Sequence, residues 1–314
     1  MYALLALSAT VLTSLLPILN KHILSDTRPA LVAWAINAAS LPILAIGTFL
    51  LTQCTIAHLP GKISLSCTIQ PPHADAIFLI ALLGSAALNW AATLLSTRAL
   101  AIADASLVSP LLTFNPAFTL FIAWLTLNEI PGSRQTFGVL VILLGAYLLE
   151  AQETRTGPLA PLLILLRRPG TLSAVVASAL WGATTVLEKL AIEHVTPPSG
   201  PLVALVGTAL TVALLTPGAL LSSGRANTPA QKSTPGGLGA HLPTFAVAAL
   251  IAGVAPLFGF TAIAIGLVGY VTALFKLSAV LTVLWAWLFL GEGDLRQRLL
   301  GTIVMVVGGA LVAI

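Results

Sequence analysis

Between Val268 and Glu292 the chain reads VGYVTALFKLSAVLTVLWAWLFLGE, and the only charge ahead of the closing glutamate is the ammonium of Lys276. Keeping a charge near the middle of an apolar helix in hydrocarbon costs about 2.5–3.5 kcal/mol on insertion scales, and such groups face a cavity or a partner. At helical spacing the lysine neighbours Thr272, Ala273, Ala279 and Val280, with Gly269 a turn further back, while Leu274, Leu277, Leu281 and Trp285 take the other side. Lys276 therefore falls on a stripe of small residues that a facing helix or a wet pocket can approach. An ammonium there binds a carboxylate or phosphate as a point charge. The structural alternative is that it caps backbone carbonyls or snorkels to the membrane surface.

Other charges stand near the ends of apolar runs. Lys21, Glu188, Lys189 and Arg98 are candidate gate or entrance charges around a central cavity, with interfacial snorkelling as the competing use. Glu188 and Lys189 are adjacent, so on a helix they point about 100° apart and pair poorly with each other. Arg98 and Asp104 flank one connector and also read as structural. Glu129 and Glu292 read as caps that brace the next helix, with Arg134 and with Arg296 or Arg298. Polar residues inside apolar runs add Asn89, Ser109, Thr113 and Asn115. The expected substrate-binding set is Lys276, Thr113, Asn115, Asn89, Tyr270 and Thr272. Helix–helix hydrogen bonds, about 0.6 kcal/mol each, are the other use of such polar groups. Pro110, Pro116 and Pro256 can kink their helices and free carbonyls.

Some chemistry finds no residues. There is no phosphate-binding glycine loop, no metal spacing of histidine and cysteine, and no pair of intramembrane carboxylates, so no enzyme and no cofactor are expected. His22, His58, His73, His194 and His241 fall in or beside connectors and read as unclustered. The first and sixth apolar runs hold no mid-span carboxylate, which argues against exchanging lipophilic cations for protons.

The elements that must position these groups are membrane spans. The chain is 58% hydrophobic and 8% charged, with a mean hydropathy of +1.02, against roughly a quarter charged residues in soluble domains. A spanning helix needs about 20 mostly apolar residues. Ten candidates lie near 2–20, 30–52, 75–98, 104–127, 134–150, 170–191, 199–221, 243–266, 268–290 and 297–314. The first reads as a retained span rather than a signal peptide, because no basic leader or small-residue cleavage pattern accompanies it. The connectors 53–74 and 222–242 are the longest and expected to be the most mobile. Cys54 and Cys67 share the first of these, as a disulfide in an oxidising space or as two unrelated thiols. The net charge of +4 sits at helix ends and points to sidedness rather than to nucleic acid.

The chain also repeats. Moved forward by 163 positions, Ala123–Glu150 lies on Ala286–Ala313 without a gap: Glu129 meets Glu292, Gly138 meets Gly301 and Gly145 meets Gly308; ahead of that stretch the same offset sets Thr113 on Lys276. A shorter echo sets Asn20–Lys21 on Glu188–Lys189. Five spans per copy is an odd number, so the copies cross the membrane in opposite senses, an arrangement suited to exposing a midplane site alternately to each side. The fold expected is an all-α polytopic membrane protein of ten transmembrane helices, built as two inverted-topology five-helix repeats, 1–150 and 170–314, with a linker at 151–169.

The residues also carry a resemblance. The pattern from Ala99 to Gly145, through ASLVSPL, NPAF and LNE, resembles the EamA domain of the drug/metabolite transporter superfamily. FLGE at Phe289–Glu292 and GTIVMVVGG at Gly301–Gly309 resemble it again, and SALWGATTVLEKLAI at Ser178–Ile192 looks like the family's sixth span. Asn128 stands where the family usually has glycine, and the first span lacks the Trp181–Gly182 pair of the sixth. The resemblance implies a secondary transporter or exporter of small metabolites.

Lys21, Arg28, Arg98, Arg155, Arg167, Arg168, Arg225, Lys232, Arg296 and Arg298 collect on one side of a ten-span arrangement, and Lys62, Arg134 and Lys189 on the other. The positive-inside rule puts the first set in the cytoplasm and both termini outside, whereas the resemblance implies cytoplasmic termini. The function expected is alternating-access transport of a small polar or anionic metabolite, with amino acids or other carboxylates favoured. A flippase for a lipid-linked head group and a non-transporting scaffold are the alternatives. The expected partners are a small-molecule substrate and the lipid bilayer, with no nucleic acid, and with a homodimer left open. The expected place is the plasma membrane, or the inner membrane in a bacterium.

Overall fold

The computed structural model describes residues 2–25, 27–59, 62–67, 72–115, 117–119, 121–122, 132–149, 168–196, 199–223, 241–265, 268–292 and 295–313; for some of these, Lys189 and 268–273 among them, it describes the backbone alone. Ten α-helices run through the described residues. They are α1 (Tyr2–Leu24), α2 (Pro29–Gln53), α3 (Ala76–Ile102), α4 (Ala105–Leu111), α5 (Ser133–Leu149), α6 (Pro169–Glu193), α7 (Gly200–Ser223), α8 (Leu242–Ile265), α9 (Val268–Leu290) and α10 (Leu295–Ala313). Seven of them are long and apolar enough to cross a membrane, and α5 and α9 add shorter apolar stretches, Ser133–Gly145 and Leu274–Leu290. The protein is an all-α polytopic membrane protein.

Local chemistry sets the ends. Asp75 caps α3 by accepting the Phe78 amide at 2.9 Å. At its other end α3 runs to Ile102, past the expected stop at 98, because Ala99 to Ile102 carry nothing that breaks a helix and the Ala103 amide still closes on the Ala99 carbonyl at 2.9 Å. Pro169 takes the first turn of α6, where its missing N–H costs nothing. Gly291, at φ 63°, ends α9 in the left-handed conformation that glycine alone takes freely. The expected fourth span, 104–127, begins as α4, which contains Pro110 and tightens into a 3-10 turn at Leu112–Phe114. Its later part lies largely outside the described residues.

The connector 53–74 carries strands. Strands β1 (Cys54–Leu59) and β2 (Lys62–Cys67) pair antiparallel in a register that sets Cys54 opposite Cys67. A further strand, β3 (His73–Ala74), pairs antiparallel with β4 (Val195–Thr196) after α6.

The outer surface is hydrocarbon: Ile80 is 70% exposed, Leu220 67% and Leu221 79%. Small hydroxyl residues lie inside, among them Thr10, Ser14, Ser85, Ser109, Thr184, Thr211 and Thr282. That inversion suits a helical bundle in lipid, where small residues let backbones approach and hydroxyls satisfy themselves on the preceding turn. Thr10 bonds the Ala6 carbonyl at 2.7 Å, and Thr211 the Gly207 carbonyl at 2.8 Å.

Helices packed across the two halves follow one plan. α3 packs along α6, and α8 along α1; α1 packs on α9, and α4 on α6; α5 packs on α10, and α2 on α7. The α5–α10 seam is closest at its glycines. A Cβ added to Gly145 would lie 2.7 Å from the Gly301 carbonyl, and one added to Gly138 would lie 2.9 Å from that of Gly308. The two contacts exchange residues that the sequence repeat equates, and they make α5 and α10 antiparallel. Thr48 near the end of α2 bonds Pro201 at the start of α7, while Trp34 near the start of α2 bonds Thr216 toward the end of α7, so this pair is antiparallel too. A third pair of contacts repeats in both halves. Thr119 bonds the Asn115 carbonyl at 3.0 Å and the Gly182 carbonyl at 3.2 Å. Its counterpart Thr282 bonds the Ser278 and Ser14 carbonyls, both at 2.9 Å.

Junction residues meet at two ends. At one end, Lys21 in the last turn of α1 reaches the Ala103 carbonyl, Asp104 at 3.7 Å and Glu292 at 3.8 Å. Arg298 on α10 pairs with Asp104 at 2.7 Å and with Glu292 at 3.5 Å, and also bonds Ser106. The Glu292 carboxylate accepts the Ala105 and Ser106 amides, each at 2.9 Å, and the Ser106 hydroxyl. Glu292 meets Arg298 on the helix that follows it, as expected, and in addition caps α4, 186 residues away in sequence, where the helix start has unpaired N–H groups. Gln297 bonds the Leu148 carbonyl at 3.2 Å, and the His22 and His241 rings meet edge to face with centroids 5.0 Å apart. Two of the five histidines are thus in ring contact. At the other end, the His194 ring donates to Asp75 at 2.7 Å. The Phe78 amide and then His194 hold the Asp75 carboxyl below the usual carboxylate range.

Candidate functional site

Lys276 is half-buried on α9, with its stem against α10, where a Cβ on Gly309 would lie 3.6 Å from the lysine Cγ. Among the described residues its ammonium has no hydrogen-bond or ion-pair partner. What it has are two cavities, and it lines both.

The first, of about 490 Å³, is lined from α1 by Ala9, Thr13 and Pro17, from α4 and its 3-10 turn by Ser109, Leu112 and Thr113, and from α8 by Ala255, Pro256 and Gly259. α9 closes it with Phe275, Lys276, Ser278, Ala279 and Thr282. Its wall is mostly carbon. Thr113 donates its hydroxyl proton to the Pro110 carbonyl at 2.6 Å, which leaves the oxygen as an acceptor only. Ser109 differs: its hydroxyl oxygen is buried and has no partner among the described residues. A buried hydroxyl left unpaired is expensive, and this one lines a cavity beside an ammonium.

The second cavity, about 400 Å³, is lined by Asn89 of α3, Leu112, Asn115, four residues of α6 (Trp181, Thr184, Thr185 and Glu188) and Lys276. Its groups are mostly polar and already partly ordered. The Trp181 indole donates to the Asn89 side-chain carbonyl at 2.8 Å, which turns the amide N–H toward Glu188, 3.5 Å away. The Ser85 hydroxyl reaches the same carboxylate oxygen at 3.3 Å. Among the described residues no cation pairs with Glu188.

The two cavities are built alike. In the register that lays Asn20–Lys21 on Glu188–Lys189, Thr13 falls on Trp181 and Pro17 on Thr185, so matching positions of α1 and α6 line matching cavities. In the register of the longer repeat, Asn115 falls on Ser278 and Thr113 on Lys276. Leu112 and Lys276 belong to both linings and form the partition.

Of the residues singled out in the sequence, Lys276, Thr113, Asn115 and Asn89 come together here. Glu188, expected as a gate or entrance charge, joins them in the second lining, on an α6 that continues to Glu193. Lys21 lies in the ionic network at the end of α1, and Arg98 is exposed on α3 and lines neither cavity. The side chains of Tyr270, Thr272 and Lys189 lie outside the described residues, as do Glu129 and Pro116. Sequence reasoning passed over Trp181 as a substrate-site residue, along with Thr184, Thr185 and Ser85, since only the close packing of α3 on α6 brings a residue 92 positions away onto Asn89.

The model of the EamA-like transporter family matches residues 1–150 and again 168–314. No curated protein matches the chain. Among solved structures, a crystal structure described only as that of a protein aligns with 99% of this chain and 96% of its own, at 15% identity and a TM-score of 0.61. At that identity the likeness speaks for the fold alone.

Proposed function

Because the chain belongs to the EamA-like transporter family, and so is a transporter of the drug/metabolite type, we propose that it carries a small polar or anionic metabolite through ten spans by alternating access, with amino acids and other carboxylates the favoured class. The observation that carries this reading is the Lys276 ammonium, unpartnered among the described residues and set in the partition between two cavities at the meeting of the halves. An intramembrane charge is retained when it meets a ligand or a relay, and cavities of about 490 and 400 Å³ hold a small metabolite.

The inverted arrangement has its own support. Helices equated by the repeat run antiparallel in two independent pairs, α5 with α10 and α2 with α7. The junctions α1–α2, α3–α4 and α9–α10 share one ionic network, while α2–α3 and α6–α7 share the Asp75–His194 contact, as ten alternating passes require. Two repeats, 1–150 and 170–314 with a linker at 151–169, rocking about the Lys276 partition would open it to each side in turn. The membrane is the plasma membrane, or the inner membrane of a bacterium.

The test is uptake of labelled carboxylates into proteoliposomes of known internal composition. Lys276→Ala is expected to abolish uptake while gel filtration and melting temperature stay as in the parent. Undiminished uptake of every transported solute by that variant removes Lys276 from the site.

A further inference from the structure

We infer that the polar cavity is a cation subsite built on Glu188, so that the transported molecule is a zwitterion with an apolar side chain: anionic group on Lys276, ammonium on Glu188, side chain in the larger cavity. This rests on the reading that Lys276 holds an anion.

The argument starts from an acid and a base that share a lining without pairing. Glu188 and Lys276 both border the cavity of about 400 Å³, yet no ion pair joins them, and neither has another charged partner among the described residues. The elements packed on α6 offer Glu188 only neutral donors. From α3 these are Ser85 and Asn89, both on Oε1 and at long range, 3.3 and 3.5 Å. α7 has no ionisable residue at all, and Asn115 faces the same cavity. Oε2 has no hydrogen bond among the described residues, so one full acceptor is left for a donor that comes with the ligand.

A ligand bearing only a carboxylate would occupy Lys276 and then face the Glu188 charge inside the same small cavity. Like charges at close range in a desolvated site oppose one another strongly. A ligand that brings its own ammonium removes that opposition and fills both sites, and Trp181 puts an aromatic ring in the same lining. The larger cavity lies across the Lys276–Leu112 partition, and its wall is carbon apart from a few hydroxyls. It takes an apolar group, and the unpaired Ser109 hydroxyl donates to a carboxylate held at the partition.

The test uses three matched triplets on the purified full-length chain: leucine, valine and phenylalanine, each beside its deaminated acid and its decarboxylated amine. Competition binding at neutral pH is expected to show at least one amino acid bound tenfold or more above both of its analogues. In Glu188→Gln the acid and the amino acid bind alike, and in Lys276→Met the amine and the amino acid bind alike. Should a variant fail to fold, the comparison of analogues on the parent chain decides by itself. If the deaminated acids bind as tightly as the amino acids and still need Lys276, the zwitterion inference falls and the anion-transporter reading stands. If an acid binds with uptake of one proton, seen as a buffer-dependent heat, Glu188 takes the proton instead and the inference falls. If none of the nine compounds binds and Lys276→Met changes nothing in uptake assays, both readings fall.

Discussion

The two cavities on either side of Lys276 are the same piece of architecture made twice, yet their chemistry differs. One presents Thr13 and Pro17 on its α1 wall; the other presents Trp181 and Thr185 at the matching positions of α6, and adds Glu188 beyond them. On the crossing helices, Thr113 in one copy answers Lys276 in the other. Where backbones touch, the copies agree: Gly138 and Gly145 against Gly301 and Gly308, and Thr119 and Thr282 each bonding a carbonyl of the opposite half. Identity is kept where two halves must fit each other. It is lost in the cavity linings, and the ligand proposed for them is not symmetric either.

The sharpest way to break the comparison is to damage what the halves share. A side chain on Gly145 would put its Cβ 2.6 Å from the Met305 amide nitrogen, and backbone cannot give way as a side-chain tip can. Overpacking costs about 1–3 kcal/mol in ordinary cores and more against backbone. Gly145→Leu is therefore expected to eliminate monodisperse protein in size-exclusion chromatography. Gly218→Ala, with open space around the added carbon, is expected to leave it unchanged.

Next in size is the network that ties one end. Glu292 is 7% exposed and satisfies two α4 amides while facing Arg298. Removing one partner of a buried charged cluster costs about 3–5 kcal/mol. Glu292→Ala is expected to lower the melting temperature by several degrees. Arg298 keeps Asp104 at 2.7 Å, so adding Arg298→Met is expected to lower it further, but by less than Arg298→Met does in the parent. A double variant that melts lower still, by the sum of the two effects, would show that the pair is not coupled.

Replacing the residue that makes the copies differ should leave stability alone. Lys276→Thr gives both copies threonine at that position. Binding of an anion is expected to weaken about 10- to 100-fold, the loss of one charge-assisted hydrogen bond of about 1.5–3 kcal/mol. Melting temperature should stay level or rise, because a desolvated ammonium has been removed.

Much of this was legible in the chain. Run lengths marked the apolar helices, seven of them long enough to cross a membrane among the described residues, and an echo at an offset of 163 positions matched Gly138 with Gly301 and Thr113 with Lys276. Lys276 stood out because a charge in hydrocarbon needs a reason. What stayed hidden required contact between distant segments: Glu292 capping α4, Trp181 orienting Asn89, His22 meeting His241. No local period or propensity records such contacts, since helix packing brings the partners together. Glu188 was legible as a charge beside the cavity, but its contacts with Ser85 and Asn89 on α3 were not. The hairpin in the 53–74 connector was also unforeseen, its polar residues reading as loop.

The smallest expected effect lies at the opposite end of the bundle from the Glu292 network. Asp75 holds the first turn of α3 through the Phe78 amide and ties it to His194 after α6. Its carboxyl sits below the ordinary value of 3.8, with the Phe78 amide as the main cause and the His194 contact next. A carboxyl depressed by folding lends stability that is fully present above its unfolded value and fades as pH drops through the folded one. The contribution should therefore be whole at pH 6 and shrink below 3.8. Melting curves of the parent and Asp75→Ala test this. The parent should melt slightly higher at pH 6, and the gap should narrow at pH 3. A gap that stays constant over that range would mean that the cap works through geometry without its charge. The two ends would then differ in kind as well as in strength, since the Glu292 end is buried and ionic whereas Asp75 is solvated.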